Sequence, residues 1–123
     1  MTRFSGRVQC SELETLLPLA RLTTEMNRHA EARANWRRVL AVNPWFADYH
    51  HELQKLLVLD KDWQKAADEG QTVQRLNPFI PEAQALLVET YLAMGRREDA
   101  RVECVKLRTL SPAKAEELWK KID

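Results

Sequence analysis

Three prolines stand 34 residues apart in this chain, at Pro44, Pro78 and Pro112. Each follows a polar residue and, before it, a short apolar run, at 39–42, 73–76 and 107–110. Proline has no backbone N–H and cannot continue a helix, but it suits the first turn of the next one. The spacing therefore predicts that each proline pair ends one helix and starts another. A period of 34 residues is the length of a two-helix repeat.

Alignment on these prolines divides most of the chain into three units, Leu13–Phe46, Ala47–Ile80 and Pro81–Lys114. Leucine occupies the seventh place of every unit and alanine the twentieth, at Leu19, Leu53, Leu87, Ala32, Ala66 and Ala100. Apolar residues that recur at fixed places mark the helix faces that pack together. The pattern predicts three antiparallel helix pairs stacked in order, each covering the apolar face of the next.

The repeat resembles that of the tetratricopeptide repeat family, and the resemblance covers residues 13–114. The third unit matches best, at Leu87, Tyr91, Gly95, Ala100 and Pro112. The resemblance implies an all-α fold, a right-handed superhelical solenoid of three helix-turn-helix repeats followed by a capping helix at 112–122. The second unit departs from the family pattern at Gln54 and Gly70. We expect the oversized Gln54 to lie opposite this glycine.

Both ends of the repeat region carry local signals. Ser11 and Glu14 form the pattern of a capping box, so the first helix is expected to begin near Glu12. A poorly ordered leader would then cover residues 1–11, and the repeat domain residues 12–123. The last segment, with Ser111 as its N-cap, has an apolar face at Ala115, Leu118, Trp119 and Ile122. A repeat array needs a helix that covers its open end; the alternative is a fourth repeat cut short.

Composition excludes several classes of protein. Lys and Arg number 19 against 18 Asp and Glu, so no overall field attracts nucleic acid or membrane lipid. No apolar run approaches the ~18–20 residues that cross a bilayer, and the N-terminal segment lacks the apolar core of a signal peptide. Two cysteines, Cys10 and Cys104, do not make a disulfide framework. We expect a cytoplasmic protein, unless the chain is a fragment of a longer exported one.

No catalytic or metal-binding motif is present in the sequence. The histidines are His29, His50 and His51. Because adjacent helical residues point about 100° apart, His50 and His51 cannot grip one ion as an i, i+4 pair can. The resemblance places His50 and Cys104 at packing positions, which indicates core residues. We therefore expect no enzyme, no cofactor and no metal.

The resemblance also implies which face binds a ligand. In the family, a concave groove is lined by places 2, 5, 6, 9, 12 and 13 of each unit, and we call these positions the groove. The groove residues expected to contact a peptide or partner subunit are Leu17, Arg21, His51, Glu52, Lys55, Leu59, Leu86 and Glu89.

The same resemblance argues against one ligand. Chaperone-binding members of the family clamp a terminal carboxylate with Lys, Asn and Arg at five groove places. In this chain those places hold Leu17, Arg21, Glu52, Glu82 and Leu86. Only Arg21 has a suitable charge, so a heat-shock-chaperone tail should not bind in that mode.

An apolar pair follows each of the first two prolines, Trp45-Phe46 and Phe79-Ile80. One interpretation is that the pairs pack beneath the following helix as hydrophobic staples. The other is an exposed apolar edge, formed by these four residues and Trp119, that contacts a partner or a second copy of the chain.

A helical solenoid without reaction chemistry predicts a non-catalytic scaffold that holds a peptide or a partner subunit in the groove. Two alternatives stay open: an accessory module of a larger enzyme or redox protein, and a self-associating structural subunit. Nucleic-acid binding is the least favoured, because its candidate residues lie mainly on the outer face, at Arg28, Arg33, Arg37 and Arg38.

Overall fold

The computed structural model describes helical backbone from Thr2 onward and side chains from Glu12 to Asp123. This part of the chain contains helices and no strand, which confirms the all-α prediction. The helices are α1 Thr2–Glu25, α2 His29–Val42, α3 Ala47–Leu59, α4 Trp63–Leu76, α5 Pro81–Ala93, α6 Arg97–Leu110 and α7 Pro112–Ile122.

The helices lie in succession rather than around a common centre. Helix α1 packs on α2, α3 on α4 and α5 on α6, and these pairs are joined by α2–α3 and α4–α5 contacts. The connecting loops have four residues or fewer, which makes neighbouring helices antiparallel. In the described part of the chain, no contact joins the first pair to the last. The arrangement is the predicted helical solenoid.

The turn inside each helix pair is built in the same way three times. One residue of each turn has a positive φ: Asn27 at 59°, Lys61 at 60° and Gly95 at 75°, again 34 residues apart. The next N–H reaches back five residues to a helix carbonyl, as from Arg96 to Tyr91 at 2.9 Å. This is the Schellman arrangement, which satisfies carbonyls that the helix end leaves free. Gly95 therefore ends α5 as its position suggests.

The turns between pairs differ from the prediction at the first two prolines. Asn43 Oδ1 accepts a hydrogen bond from the Trp45 N–H at 3.3 Å, and Asn77 Oδ1 accepts one from Phe79 at 3.0 Å. These Asx turns keep the chain out of the helix for two more residues, so α3 and α5 begin at 47 and 81. The expectation that Pro44 and Pro78 open the next helix was wrong. Only Pro112, which follows a serine, stands in a first turn.

Three expected helix starts also differ in detail. Helix α1 begins at Thr2, so Ser11 lies within it and the predicted start at Glu12 was wrong. The side chains of 1–11 lie outside the described residues, and their expected disorder stays a prediction. Asp62 and Ser111 do occupy N-cap positions, but neither side chain makes a capping hydrogen bond, because both turns already approach the helix through a tight backbone bend.

The core runs along the array between the helix layers, and two predicted packing details are confirmed there. A Cβ on Gly70 would lie 2.8 Å from Gln54 Nε2 and 3.0 Å from Leu87 Cδ1, so the glycine and the large glutamine do face each other. Cys104 is a fully buried free thiol. At the C-terminal end, α7 buries Ala115, Leu118 and Ile122 against α5 and α6.

Candidate functional site

A cleft opens on the groove side between α1 and α3. These two helices make no backbone contact within the described residues, whereas α2 packs on both. The cleft has a volume of about 380 Å³ and is lined by Arg21, Thr24, Glu25, Trp36, Asp48, Tyr49, His51 and Glu52. It brings together three residues predicted for binding, which are Arg21, His51 and Glu52.

Two aromatic rings that were not predicted for the site form the floor of this cleft. Trp36 of α2 is 1% exposed and Tyr49 of α3 is 8% exposed, and their ring centroids lie 5.9 Å apart. Trp36 Nε1 donates a hydrogen bond to Thr24 Oγ1 at 2.9 Å, which fixes the indole across α1. Phe46 packs edge-on against Tyr49 at 4.7 Å. The floor is therefore preformed and held by three helices and a turn.

One sequence signal could have found Trp36. It occupies the twenty-fourth place of its unit, where the other two units have Gly70 and Cys104. The large ring at this place in the first unit fills the space between α1 and α3 that shorter side chains would leave empty. It was predicted as a buried residue, and its second role as a cleft wall follows from that gap.

Hydrogen bonds orient the polar rim of the cleft. Gln54 Nε2 donates to the Ala83 carbonyl at 3.1 Å, so its Oε1 accepts from His51 Nδ1 at 2.8 Å. A neutral His51 then carries its proton on Nδ1 and leaves Nε2 as an acceptor. Glu52 is paired with Lys55 at 2.9 Å. His51 is thus held by a glutamine that also links α3 to α5.

Three charged residues of the cleft have no such partner. Arg21, Glu25 and Asp48 make no ion pair or side-chain hydrogen bond with another described residue, although each is exposed on the cleft wall. Surface charges of this kind are free to pair with a ligand, because no internal partner must first be displaced.

The remaining predicted groove residues lie away from this cleft. Leu17 lines a separate apolar hollow of about 410 Å³ near the start of α1, with Leu13, Glu14 and Pro18. Leu59 is 61% exposed at the end of α3. Leu86 and Glu89 are half-buried on α5. The structure thus gathers part of the predicted set in one cleft and spreads the rest along the array.

The residues of the apolar edge fall into two groups. Trp45 and Phe79 are 78% and 75% exposed. Ile80 packs against a small cluster of buried side chains, and Phe46 packs against Tyr49 as described. Trp119 is half-buried on the C-terminal cluster beneath the guanidinium of Arg108. The staple interpretation fits Phe46 and Ile80, while Trp45 and Phe79 face outward.

His50 is a core residue, as predicted. Its Nδ1 lies 2.6 Å from Glu69 Oε1 and its Nε2 lies 2.8 Å from the Pro44 carbonyl. It therefore ties the loop before α3 to α4. Among the described residues, no group of His, Cys, Asp and Glu is arranged to hold a metal ion. In that same part of the chain, every helix is too short or too polar to cross a membrane.

Comparisons with known proteins identify the fold. No protein-family model and no curated protein matches the sequence. Among solved structures, the Arabidopsis OM64 TPR domain gives a TM-score of 0.82 at 12% identity, covering 93% of this chain and 96% of that one. The first TPR of Spaghetti (RPAP3), bound to the HSP90 peptide SRMEEVD, gives 0.82 at 15% identity, covering 91% and 90%.

A third similar structure is the Yersinia enterocolitica type III secretion chaperone SycD in complex with a peptide of the translocator YopD. Its TM-score is 0.82 at 13% identity, covering 89% of this chain and 91% of that one. Each likeness extends over nearly the whole described solenoid at low sequence identity. The chain therefore has the tetratricopeptide repeat fold, the same fold that its 34-residue pattern resembles.

Proposed function

We propose that this protein is a non-catalytic scaffold that holds a peptide segment of a partner protein in the groove. The α1–α3 cleft is the observation that carries the proposal, because it combines an aromatic floor with charged groups that lack internal partners. Two of the similar structures are peptide complexes, which supports a peptide as the ligand class.

The rigidity of the cleft supports binding rather than turnover. Trp36, Tyr49 and His51 are each fixed by packing or a hydrogen bond. A preformed surface loses little conformational entropy when a ligand binds, so fewer contacts suffice for a given affinity. The aromatic floor would provide the buried anchor that dominates such interfaces.

Affinity capture from the native cell tests this function. The wild type is compared with Arg21→Glu/Lys55→Glu, which reverses both groove cations, and with Arg38→Glu/Lys120→Glu, a matched reversal at exposed positions outside the groove. We expect the first variant to change the set of captured proteins and the second to leave it unchanged. Recovery of the same proteins by all three baits would show that the groove is not the working surface.

Self-association is a second candidate function, favoured by the exposure of Trp45 and Phe79. Large aromatic side chains in water are typical of residues that a protein surface covers. Light scattering on the wild type, Trp45→Asp and Val102→Asp would decide, since Val102 is exposed on α6 and serves as the control. A dimer that only Trp45→Asp dissociates would support this function, and a monomer in every case would exclude it.

A further inference from the structure

The groove is acidic although the whole chain is nearly neutral, with a formal net charge of +1. Its positions include two cations, Arg21 and Lys55, against six carboxylates, which are Glu14, Glu25, Asp48, Glu52, Glu82 and Glu89. Lys55 is already paired with Glu52. Because complementary charge selects partners and speeds their encounter, this groove favours a cationic ligand over an anionic one.

The acceptors of the α1–α3 cleft converge where a ligand donor would sit. Glu25 at the end of α1 and Asp48 at the start of α3 both line it and are unpaired within the described residues. Tyr49 lines it too, and its hydroxyl has no hydrogen-bond partner there although the residue is 8% exposed. A nearly buried hydroxyl without a partner is costly, and a ligand N–H would satisfy it.

His51 adds an acceptor to the same rim. Its Nδ1 proton is committed to Gln54 Oε1 at 2.8 Å, because the Gln54 amide nitrogen is itself committed to the Ala83 carbonyl. The free Nε2 of the neutral ring therefore accepts. Glu25, Asp48, Tyr49 and His51 together present acceptors, and Arg21 alone presents a cation.

We infer that the partner segment inserts a Lys or Arg side chain into this cleft. Its aliphatic stem lies on the Trp36 and Tyr49 rings, as long basic side chains do on apolar surfaces, and its cation lies between Glu25 and Asp48. The inference rests on the proposed function and specifies its ligand. The HSP90 peptide SRMEEVD on a similar fold is acidic, and its charges would be repelled here.

A random library of twelve-residue peptides, panned on the full chain, tests the inference separately from the function. Binding that is lost on His51→Trp, where a larger neutral ring fills the cleft, counts as cleft-dependent. Enrichment of Lys or Arg among the cleft-dependent peptides is the expected result. Cleft-dependent peptides without that enrichment would overturn the inference and leave the scaffold function standing. A library without cleft-dependent peptides would overturn both.

Variants of the acceptors complete the test. For the best selected peptide, labelled with fluorescein, we expect Glu25→Gln/Asp48→Asn to raise the Kd at least tenfold, and replacement of the peptide's basic residue by Gln to do the same. Glu31→Gln/Glu116→Gln removes the same charge at exposed positions outside the groove and should change the Kd less than twofold. Equal weakening by both pairs would indicate a general charge effect and refute a specific anchor.

Discussion

Gln54 links the core of this protein to its candidate site. The side chain is fully buried, its amide donates to the Ala83 carbonyl on α5, and its oxygen accepts from His51 in the cleft. Gly70 makes room for it, since no larger residue fits at that place on α4. A departure from the family pattern at two positions thus creates one buried polar link between neighbouring repeats.

The space at Gly70 leads to a prediction that opposes the usual helix rule. Ala in place of a mid-helix Gly normally stabilises by about 1 kcal/mol. Here the new Cβ would lie 2.8 Å from Gln54 Nε2 and 3.0 Å from Leu87 Cδ1, and Gln54 is held by its hydrogen bonds. We predict that Gly70→Ala lowers the free energy of unfolding by roughly 1–2 kcal/mol, as overpacking does, in urea denaturation.

A double-mutant cycle provides the control for this prediction. Gln54→Ala removes the group that the new methyl meets, so Gly70→Ala should be less harmful in that background. We expect a favourable coupling of about 1 kcal/mol between the two substitutions, in the range for residues in contact. Additive effects, or a stabilised single variant, would show that the two residues do not compete for space.

At the scale of the helices, the turn inside each pair depends on one residue with a positive φ. Gly95 occupies this conformation without strain, whereas Asn27 and Lys61 bear a side chain there. The left-handed region costs an L-residue about 1–2 kcal/mol, least for Asn and Gly. The three turns are therefore alike in geometry and unequal in stability.

These turns predict opposite effects for two substitutions. Gly95→Ala should lower the free energy of unfolding by about 1 kcal/mol, because the strained φ is its sole penalty; a Cβ there would meet nothing within 4 Å. Lys61→Gly should raise it by roughly 0.5–1 kcal/mol, the relief of strain less the entropy cost of glycine. Thermal and urea unfolding measure both changes, and the same sign for both would contradict the turn geometry.

Over the whole molecule, stability passes from each repeat to the next, and the ends depend on their last helix. Helix α7 closes the C-terminal end with Leu118 and Ile122 over the third pair. Cys104 lies directly beneath it, with its Sγ donating to the Ala115 carbonyl at 3.2 Å. Burial raises the pKa of the Cys104 thiol, against a smaller lowering by Arg108. The thiol therefore reports on whether α7 stays in place.

We predict that Leu118→Ala costs about 2–5 kcal/mol, as for other buried leucines, and speeds alkylation of Cys104. In a Cys10→Ser background, iodoacetamide should react slowly with the wild type, because the thiolate is scarce and covered. Val105→Ala on the exposed side of α6 should leave the alkylation rate unchanged. Equal rates in all three proteins would mean that α7 does not cover the thiol.

Much of this architecture could be predicted because its signals are local. A proline without an N–H stops a helix wherever it occurs, and the 34-residue spacing alone places the ends of α2, α4 and α6. The positions of His50 and Cys104 in the core followed from the repeat phase. The helix starts were less accurate, since the Asn43 and Asn77 side chains compete for backbone donors in a way that residue type does not reveal.

The sequence by itself determined that this chain forms paired helices in a line, because backbone chemistry and apolar periodicity act within a few residues of each other. The tertiary structure alone decided that α1 and α3 stand apart, that Trp36 and Tyr49 line the gap, and that Trp45 and Phe79 face water. Those outcomes depend on how far apart neighbouring helices settle. That distance is set by side chains from three helices packing at once, so no single stretch of sequence encodes it.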